Sequence, residues 1–243
     1  MIPKIIHYCW FGRGPMPELS RKCIDSWHMH MPDYEFKLWN EDCFDISSNQ
    51  YVKEAYEAKK YAFVSDYVRL LALYREGGIY MDTDVEVFKS YDPLLNLTGF
   101  IGFEGTKYHP VGTGTIACQA KGEWVTEQLH AYDNVHFIKP DGSYDLTTNP
   151  TRITDIMVKQ GFIQNGEKQV YKDMHIFPVD YFCPRQTTGE ILITENTYCD
   201  HHFMGTWDST PKGLKSLILS LFPQYGRIGI IKLKRRIERL CKR

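Results

Sequence analysis

AFVSDYVRLLALYREGGIYMDTDVEV, residues 62–87, is the stretch on which the fold turns. Phe63, Tyr67, Leu70, Leu71 and Tyr74 recur at helical spacing and predict a helix over 62–76, which Gly77-Gly78 would stop. Ile79-Tyr80-Met81 reads as a short strand, broken by Asp82-Thr83-Asp84 and resumed from Val85 to Phe88. A helix running through a glycine pair into a strand is α/β grammar. Carboxylates two apart converge on one cation where the backbone turns, and oxygen ligands suit Mg²⁺ or Mn²⁺. An Asp-x-Asp alone is more often a surface turn. Here it lies between apolar segments, so at least one carboxylate should stand near the core and need a partner. Asp66 and Arg69 lie one helical turn apart, away from the Phe63/Tyr67/Tyr74 stripe, where an intrahelical ion pair is the plainer reading.

Working outward, residues 2–10 read as a buried first strand ending at Trp10, followed by a glycine-rich loop. Pro17 opens a helix through about His30. Tyr34 to Trp39 alternates as a second strand, with Tyr34, Phe36 and Leu38 on one face. Further strands are expected at 99–103, 113–118, 170–177 and 197–203, with helices near 122–131 and 151–160. Helices and strands alternate throughout, which argues for an α/β fold with a mainly parallel central sheet. The expected division is a domain over 1–210 and a tail over 211–243. In that tail Leu214, Leu217, Ile218 and Leu221 suggest an amphipathic helix, and seven Lys and Arg follow from Lys232 to Arg243. A membrane surface and a solvated helix end explain such a helix equally well.

The chain has 243 residues, of which 43% are hydrophobic, enough for one substantial core. A formal net charge of -1 gives no reason to expect nucleic acid as a partner. The seven cysteines are scattered singly and odd in number, which fits free thiols in a reducing compartment. The start of the chain lacks an apolar leader, and no apolar run approaches the roughly 20 residues that span a bilayer. The expected location is cytoplasmic, peripheral on the inner face of the cell membrane if the tail binds it.

Three ordered stretches, IPKIIHYCWFG (2–12), SDYVR (65–69) and YREGGIYMDTD (74–84), together resemble the DXD sugar-binding glycosyltransferases of family 32. That family includes bacterial capsule and lipopolysaccharide enzymes and fungal mannosyltransferases, and it is similar more distantly to the clostridial glucosylating toxins. The resemblance implies a GT-A-like (Rossmann-like) nucleotide-sugar-binding fold and a retaining hexosyltransferase acting in surface polysaccharide synthesis. Its partners would be a nucleotide-sugar donor and a glycan or lipid-linked glycan acceptor, and its cofactor Mn²⁺ or Mg²⁺. Trp10 would stack on the donor base, Asp66 bind sugar hydroxyls, and Arg69 lie near phosphate or sugar. Asp82 would contact ribose or sugar and the metal shell, and Asp84 would ligate the metal. Tyr80 is a candidate for the donor-sugar wall and equally a core tyrosine. Trp10 and its loop resemble uracil-stacking relatives, which favours a UDP-hexose over GDP-mannose.

Late in the chain, Cys199-Asp-His-His-Phe-Met-Gly-Thr-Trp resembles the His-Phe-x-Gly segment of other retaining DXD transferases. That likeness implies His202 as the ligand completing the metal site, with His201 as the fallback, and Trp207 as a tryptophan closing over the diphosphate. Thr206 stands where serine is commoner. Asn149 replaces a glycine of a Gly-Pro turn near the acceptor. His109, His130, His136 and His175 have no metal-like spacing. Two rivals are a metal-dependent phosphodiesterase, which calls for more convergent ligands to hold two ions, and a catalytically silent carbohydrate-binding protein.

Overall fold

A computed structural model describes residues 1–105, 110–185 and 190–205. The expected tail, the boundary at 210, Thr206, Trp207 and His109 lie outside the described residues. Elements in chain order begin β1 (Ile5–Cys9), α1 (Glu18–His30), β2 (Glu35–Trp39), α2 (Gln50–Glu57) and α3 (Tyr61–Glu76). They continue with β3 (Gly78–Met81), β4 (Val85–Val87), β5 (Gly99–Phe103), β6 (Val111–Cys118) and α4 (Glu123–His130). The last are α5 (Asn149–Lys159), β7 (Gln169–Tyr171), β8 (Met174–Phe177), α6 (Val179–Phe182) and β9 (Cys199–His201).

Seven strands form one sheet in the order β2-β1-β3-β6-β5-β8-β7. The pairings β1–β2, β1–β3 and β5–β8 are parallel, and β6 and β7 run against the other five. The sheet is therefore mainly parallel, as the alternation of helices and strands predicts. From β1 the chain crosses through α1 to β2 on one side, then through α2 and α3 to β3 on the other. Strand order reverses at β1, and the crevice beyond the carboxyl ends of β1 and β3 is where open α/β sheets hold ligands. Trp10 follows β1 and Asp82 follows β3, so both stand at that crevice.

Period-two alternation splits β3 between two cores: Tyr80 joins α3's Val68 and Leu70 on one side of the sheet, while Ile79 and Met81 join α1's Trp27 on the other. Burial alone does not bring β3 against β1; the glycine pair does. Gly77 (φ 67°) and Gly78 (φ 97°) adopt left-handed angles after α3. A Cβ on Gly78 would lie 2.6 Å from the Ile5 carbonyl oxygen. Beside them His7, fully buried, lies 2.8 Å through Nε2 from the Gly77 oxygen, and its Nδ1 accepts from Trp39 Nε1 at 3.1 Å.

Three elements differ from expectation. Residues 170–177 form not one strand but the hairpin β7–β8, which turns at Lys172 (φ 53°). The strand expected over 197–203 is β9 alone, because Phe203 (φ 50°) turns the chain away. Helix α2 has no counterpart among the expected elements; it is eight residues long and is started by Asn49, whose side chain accepts from Val52 N. No helix among the described residues is long and apolar enough to cross a membrane. The six described cysteines are free, Cys43 alone among them exposed.

Gly78→Ala should lower stability by roughly 1–3 kcal/mol through backbone strain alone, and urea unfolding of the two proteins measures the loss.

Candidate functional site

Asp82 N donates to the Gly114 oxygen (2.8 Å), the last rung joining β3 to β6, and Val85 N donates back to the Asp82 oxygen (3.0 Å). The chain thus turns within Asp82-Thr83-Asp84 and enters β4. On one edge α1 holds β4: Trp27 Nε1 donates to the Val85 oxygen (2.7 Å), and Val87 N donates to Ser26 Oγ (2.9 Å). On the other edge β9 pairs antiparallel, with Val85 opposite His201 and Val87 opposite Cys199. His202 N donates to the Asp84 oxygen at 3.0 Å. A two-stranded ribbon therefore carries a histidine from residue 201 to the acidic turn.

His201 Nε2 lies 3.2 Å from Asp84 Oδ1 and 3.9 Å from Asp82 Oδ2. One ligand atom from each of these three residues falls within 4.8 Å of the others. Each carboxylate has its second oxygen fixed elsewhere. Met204 N donates to Asp84 Oδ2 (2.7 Å), and the Tyr80 hydroxyl donates to Asp82 Oδ1 (2.8 Å). The free oxygens face the imidazole. Asp84 is 8% exposed. Burial pushes its pKa up, but the His201 charge and hydrogen bond and the Met204 amide outweigh it and hold the carboxyl below its usual range. For His201 burial pushes the pKa down, and Asp84 and Asp82 outweigh it, so the ring rises above its ordinary value. A positive charge on the imidazole offsets the burial of Asp84 beside the half-buried Asp82. Two carboxylate oxygens and one imidazole nitrogen converging in a buried, negative setting fit a hard divalent cation such as Mn²⁺ or Mg²⁺.

Behind Asp82 stands a second set of charges. Arg69 is 5% exposed, and its Nη2 lies 3.0 Å from Asp66 Oδ1 and 3.2 Å from Asp82 Oδ1. Its Nη1 donates to the Thr113 oxygen (2.7 Å), Nε donates to the Ser65 oxygen (3.3 Å), and the guanidinium sits 4.6 Å from the Tyr80 ring centre. Asp66 in turn accepts from Asn149 N (3.2 Å), while Asn149 Nδ2 donates to the Asp66 carbonyl (2.9 Å). Burial raises the Asp66 carboxyl to about 6, against the pull of Arg69. In this arrangement Asp66, expected on sugar hydroxyls, and Arg69, expected near phosphate, face each other and Asp82. Their donors and acceptors orient Asp82. Tyr80 is 1% exposed, and its hydroxyl serves the site.

His202, expected to complete the metal site, lies elsewhere. Successive strand residues point to opposite sides, so the ribbon that brings His201 to the carboxylates turns His202 away. Its Nε2 lies 2.9 Å from Glu86 Oε2, and Arg185 Nη2 lies 3.3 Å from its Nδ1. Arg185 also pairs with Asp200, which is 2% exposed. Trp10 is half-buried in the loop after β1, and its Nε1 donates to the Gly14 oxygen (2.7 Å). The same loop is tied to the end of β2, since Gly12 N donates to Glu41 Oε1 (2.6 Å). Gly114 and Glu104, with no expected role, and Asn149, expected at a turn near the acceptor, enter the site. Gly114 has no Cβ, and one there would lie 2.8 Å from His201 Nδ1. Asn149 begins α5 and holds Asp66. Glu104, half-buried after β5, is raised to about 7 by burial, against the pull of His201. The glycine-rich run Val111-Gly-Thr-Gly-Thr was the available signal for close packing at β6.

Gly114→Ala should displace His201 and weaken Mn²⁺ binding about tenfold or more. Gly14→Ala, where nothing lies within 4 Å of the added carbon, should leave it unchanged. Isothermal titration of both variants with MnCl₂ makes the comparison.

Residues 17–100 match the family described as "glycosyltransferase sugar-binding region containing DXD motif". Inositol phosphoceramide mannosyltransferase 3 of Schizosaccharomyces pombe is 35% identical over 108 residues, covering 41% of this chain and 29% of that protein. A mannosyl phosphorylinositol ceramide synthase of Saccharomyces cerevisiae is 32% identical over 109 residues, covering 42% of this chain and 28% of that one. The chain thus spans under a third of the length of these relatives. The structure titled PaToxG glycosyltransferase superposes with a TM-score of 0.53 at 20% identity, over 66% of this chain and 70% of that one. That likeness concerns the fold, which is the GT-A α/β arrangement. The match to the DXD sugar-binding glycosyltransferase family thus takes in the acidic turn and ends beyond it.

Proposed function

We propose that the chain is a metal-dependent, retaining hexosyltransferase that moves a sugar from a nucleoside diphosphate to a glycan or lipid-linked glycan hydroxyl. The observation that carries this reading is the convergence of Asp82, Asp84 and His201 at the crevice where strand order reverses, within a segment of the DXD family. In this reading Asp84, Asp82 and His201 hold the cation. A divalent ion there supplies positive charge that neutralises a departing diphosphate.

The protein's own groups prepare that chemistry. The Met204 amide and the Tyr80 hydroxyl fix one oxygen of each carboxylate, so the other two need no reorganisation when the donor arrives. Arg69 pairs with Asp82 and anchors it to β6 and α3. Trp10 offers an aromatic face for the donor base at the same crevice. For retention the acceptor attacks the face from which the diphosphate leaves, and its proton goes to the departing phosphate oxygen.

A UDP-hexose is the first choice of donor, from the Trp10 loop. GDP-mannose is the second, favoured by relatives named as mannosyltransferases. Those relatives also carry a phosphoinositol ceramide in their names, which favours a lipid-linked acceptor. A two-ion phosphodiesterase finds less support: among the described residues a single group of three ligands converges.

A thermal-shift panel of UDP- and GDP-sugars with and without MnCl₂ tests the reading. One nucleotide should raise the melting temperature only when Mn²⁺ is present, and Asp84→Ala should abolish that rise. An undiminished rise in Asp84→Ala overturns the metal site. A product of inverted anomeric configuration by NMR overturns the retaining reaction.

A further inference from the structure

Strand β5 meets β6 with a break in register. Ile101 faces Ile116, yet the next residue, Gly102, faces Gly112, so Thr113, Gly114 and Thr115 bulge from the ladder. The bulge does two visible things: its Thr113 oxygen takes Arg69, and its Gly114 oxygen takes the Asp82 amide. It also opens a cavity whose walls include Gly102, Glu104, Gly112, Gly114, Phe182 and His201. Three of these are glycines, and the side chains of Phe182, Glu104 and His201 pack over them.

Two functional side chains overhang the bulged strand. A Cβ on Gly112 would lie 3.1 Å from Glu104 Oε2, and one on Gly114 would lie 2.8 Å from His201 Nδ1. The Glu104 carboxyl and the His201 ring therefore both stand over β6 and line the one cavity. His201 turns Nε2 to Asp84 and Nδ1 toward this cavity. Glu104 is not among the three convergent ligands, and among the described residues burial and charges, with no hydrogen bond, act on its carboxyl. The charged and titratable groups acting on it are His201, Asp82, Arg69 and the Cys183 thiol. The cavity therefore holds a carboxyl group with no hydrogen-bond donor among the described residues, beside the candidate metal site and reachable from solvent. A carboxylate in that position takes its hydrogen bond from an incoming hydroxyl.

Building on the transferase reading, we infer that Glu104 binds the attacking hydroxyl of the glycosyl acceptor in the cavity between β5 and β6. Its carboxylate accepts that hydroxyl's hydrogen bond and aims the oxygen lone pair at the anomeric carbon. The bond from the acceptor oxygen to that carbon forms as the bond to the diphosphate oxygen breaks, and the hydroxyl proton passes through the Glu104 carboxylate that holds it to the departing phosphate. Glu104 thus orients the acceptor and is neither consumed nor a ligand of the cation.

The test uses the full chain with UDP or GDP, whichever the thermal-shift panel selects, and MnCl₂. Saturation-transfer NMR then probes methyl α-D-mannopyranoside, methyl α-D-glucopyranoside and myo-inositol. At least one should show transfer from the parent protein and lose it in Glu104→Ala. In Glu104→Gln, with its carbonyl oxygen retained, binding of the same sugar should be partly kept. The Mn²⁺-dependent nucleotide shift should survive in both variants, which also establishes that they fold. Sugar transfer should fall about 10- to 100-fold in kcat/KM for the acceptor, the worth of a hydrogen bond to a charged group. Equal sugar binding by parent and Glu104→Ala overturns the inference, and so does a parent that binds none of the three. Loss of the Mn²⁺-dependent shift in a folded Glu104→Ala overturns it too, by making Glu104 part of the donor site. A parent without any Mn²⁺-dependent nucleotide shift defeats the transferase reading itself.

Discussion

The contact between Asp84 and His201 is the interaction on which the rest of the structure depends. Two carboxylates in a partly dry turn repel each other and cost free energy until positive charge is brought between them. Residue 201 is remote in sequence, and the chain brings it back by pairing β9 with β4. The backbone bond from His202 N to the Asp84 oxygen and the Met204 amide on Asp84 Oδ2 then lock that strand to the turn. What the fold achieves is a site for one positive charge, and Asp84 and Asp82 accordingly hold the His201 ring above its ordinary pKa.

Such a site needs rigid walls, and each comes from a different part of the molecule. Helix α1 holds the outer edge of β4 through Trp27 and Ser26. Helix α3 sends Asp66 and Arg69 up behind Asp82, and the start of α5 holds Asp66 through Asn149. The bulge in β6 accepts from both Arg69 and Asp82, and at Gly114 it makes room for the imidazole. A charge removed from any of these positions leaves another buried without its partner. That is why Arg69 is better understood as the group that holds Asp82 than as a free hand for phosphate.

What could be read in the sequence was what is local. Helix α3, its glycine stop, β3 and the acidic turn follow from periodicity, from left-handed glycines and from turn chemistry, each within a few residues. The neighbourhood of a late histidine was legible too, as a likeness between motifs. Which of two adjacent histidines faces the carboxylates was not, because it depends on the register of Val85 against His201, and a slip of one residue would reverse it. The partners of Asp66 and Arg69 were likewise hidden: the i, i+3 pair is visible, but Asp82, Thr113 and Asn149 reach it only through tertiary packing. The β6 bulge has no local signature beyond its glycines, so the Glu104 cavity went unread. Helix α2 was missed because eight residues give little periodicity to count.

The central claim is that residue 201, not 202, shares a cation with the acidic turn. Quenching of the Mn²⁺ electron paramagnetic resonance signal on titration with protein measures this without requiring donor or acceptor. His201→Ala should weaken Mn²⁺ binding about tenfold or more while His202→Ala stays close to the parent. Loss of binding in His202→Ala with His201→Ala unaffected would contradict the account.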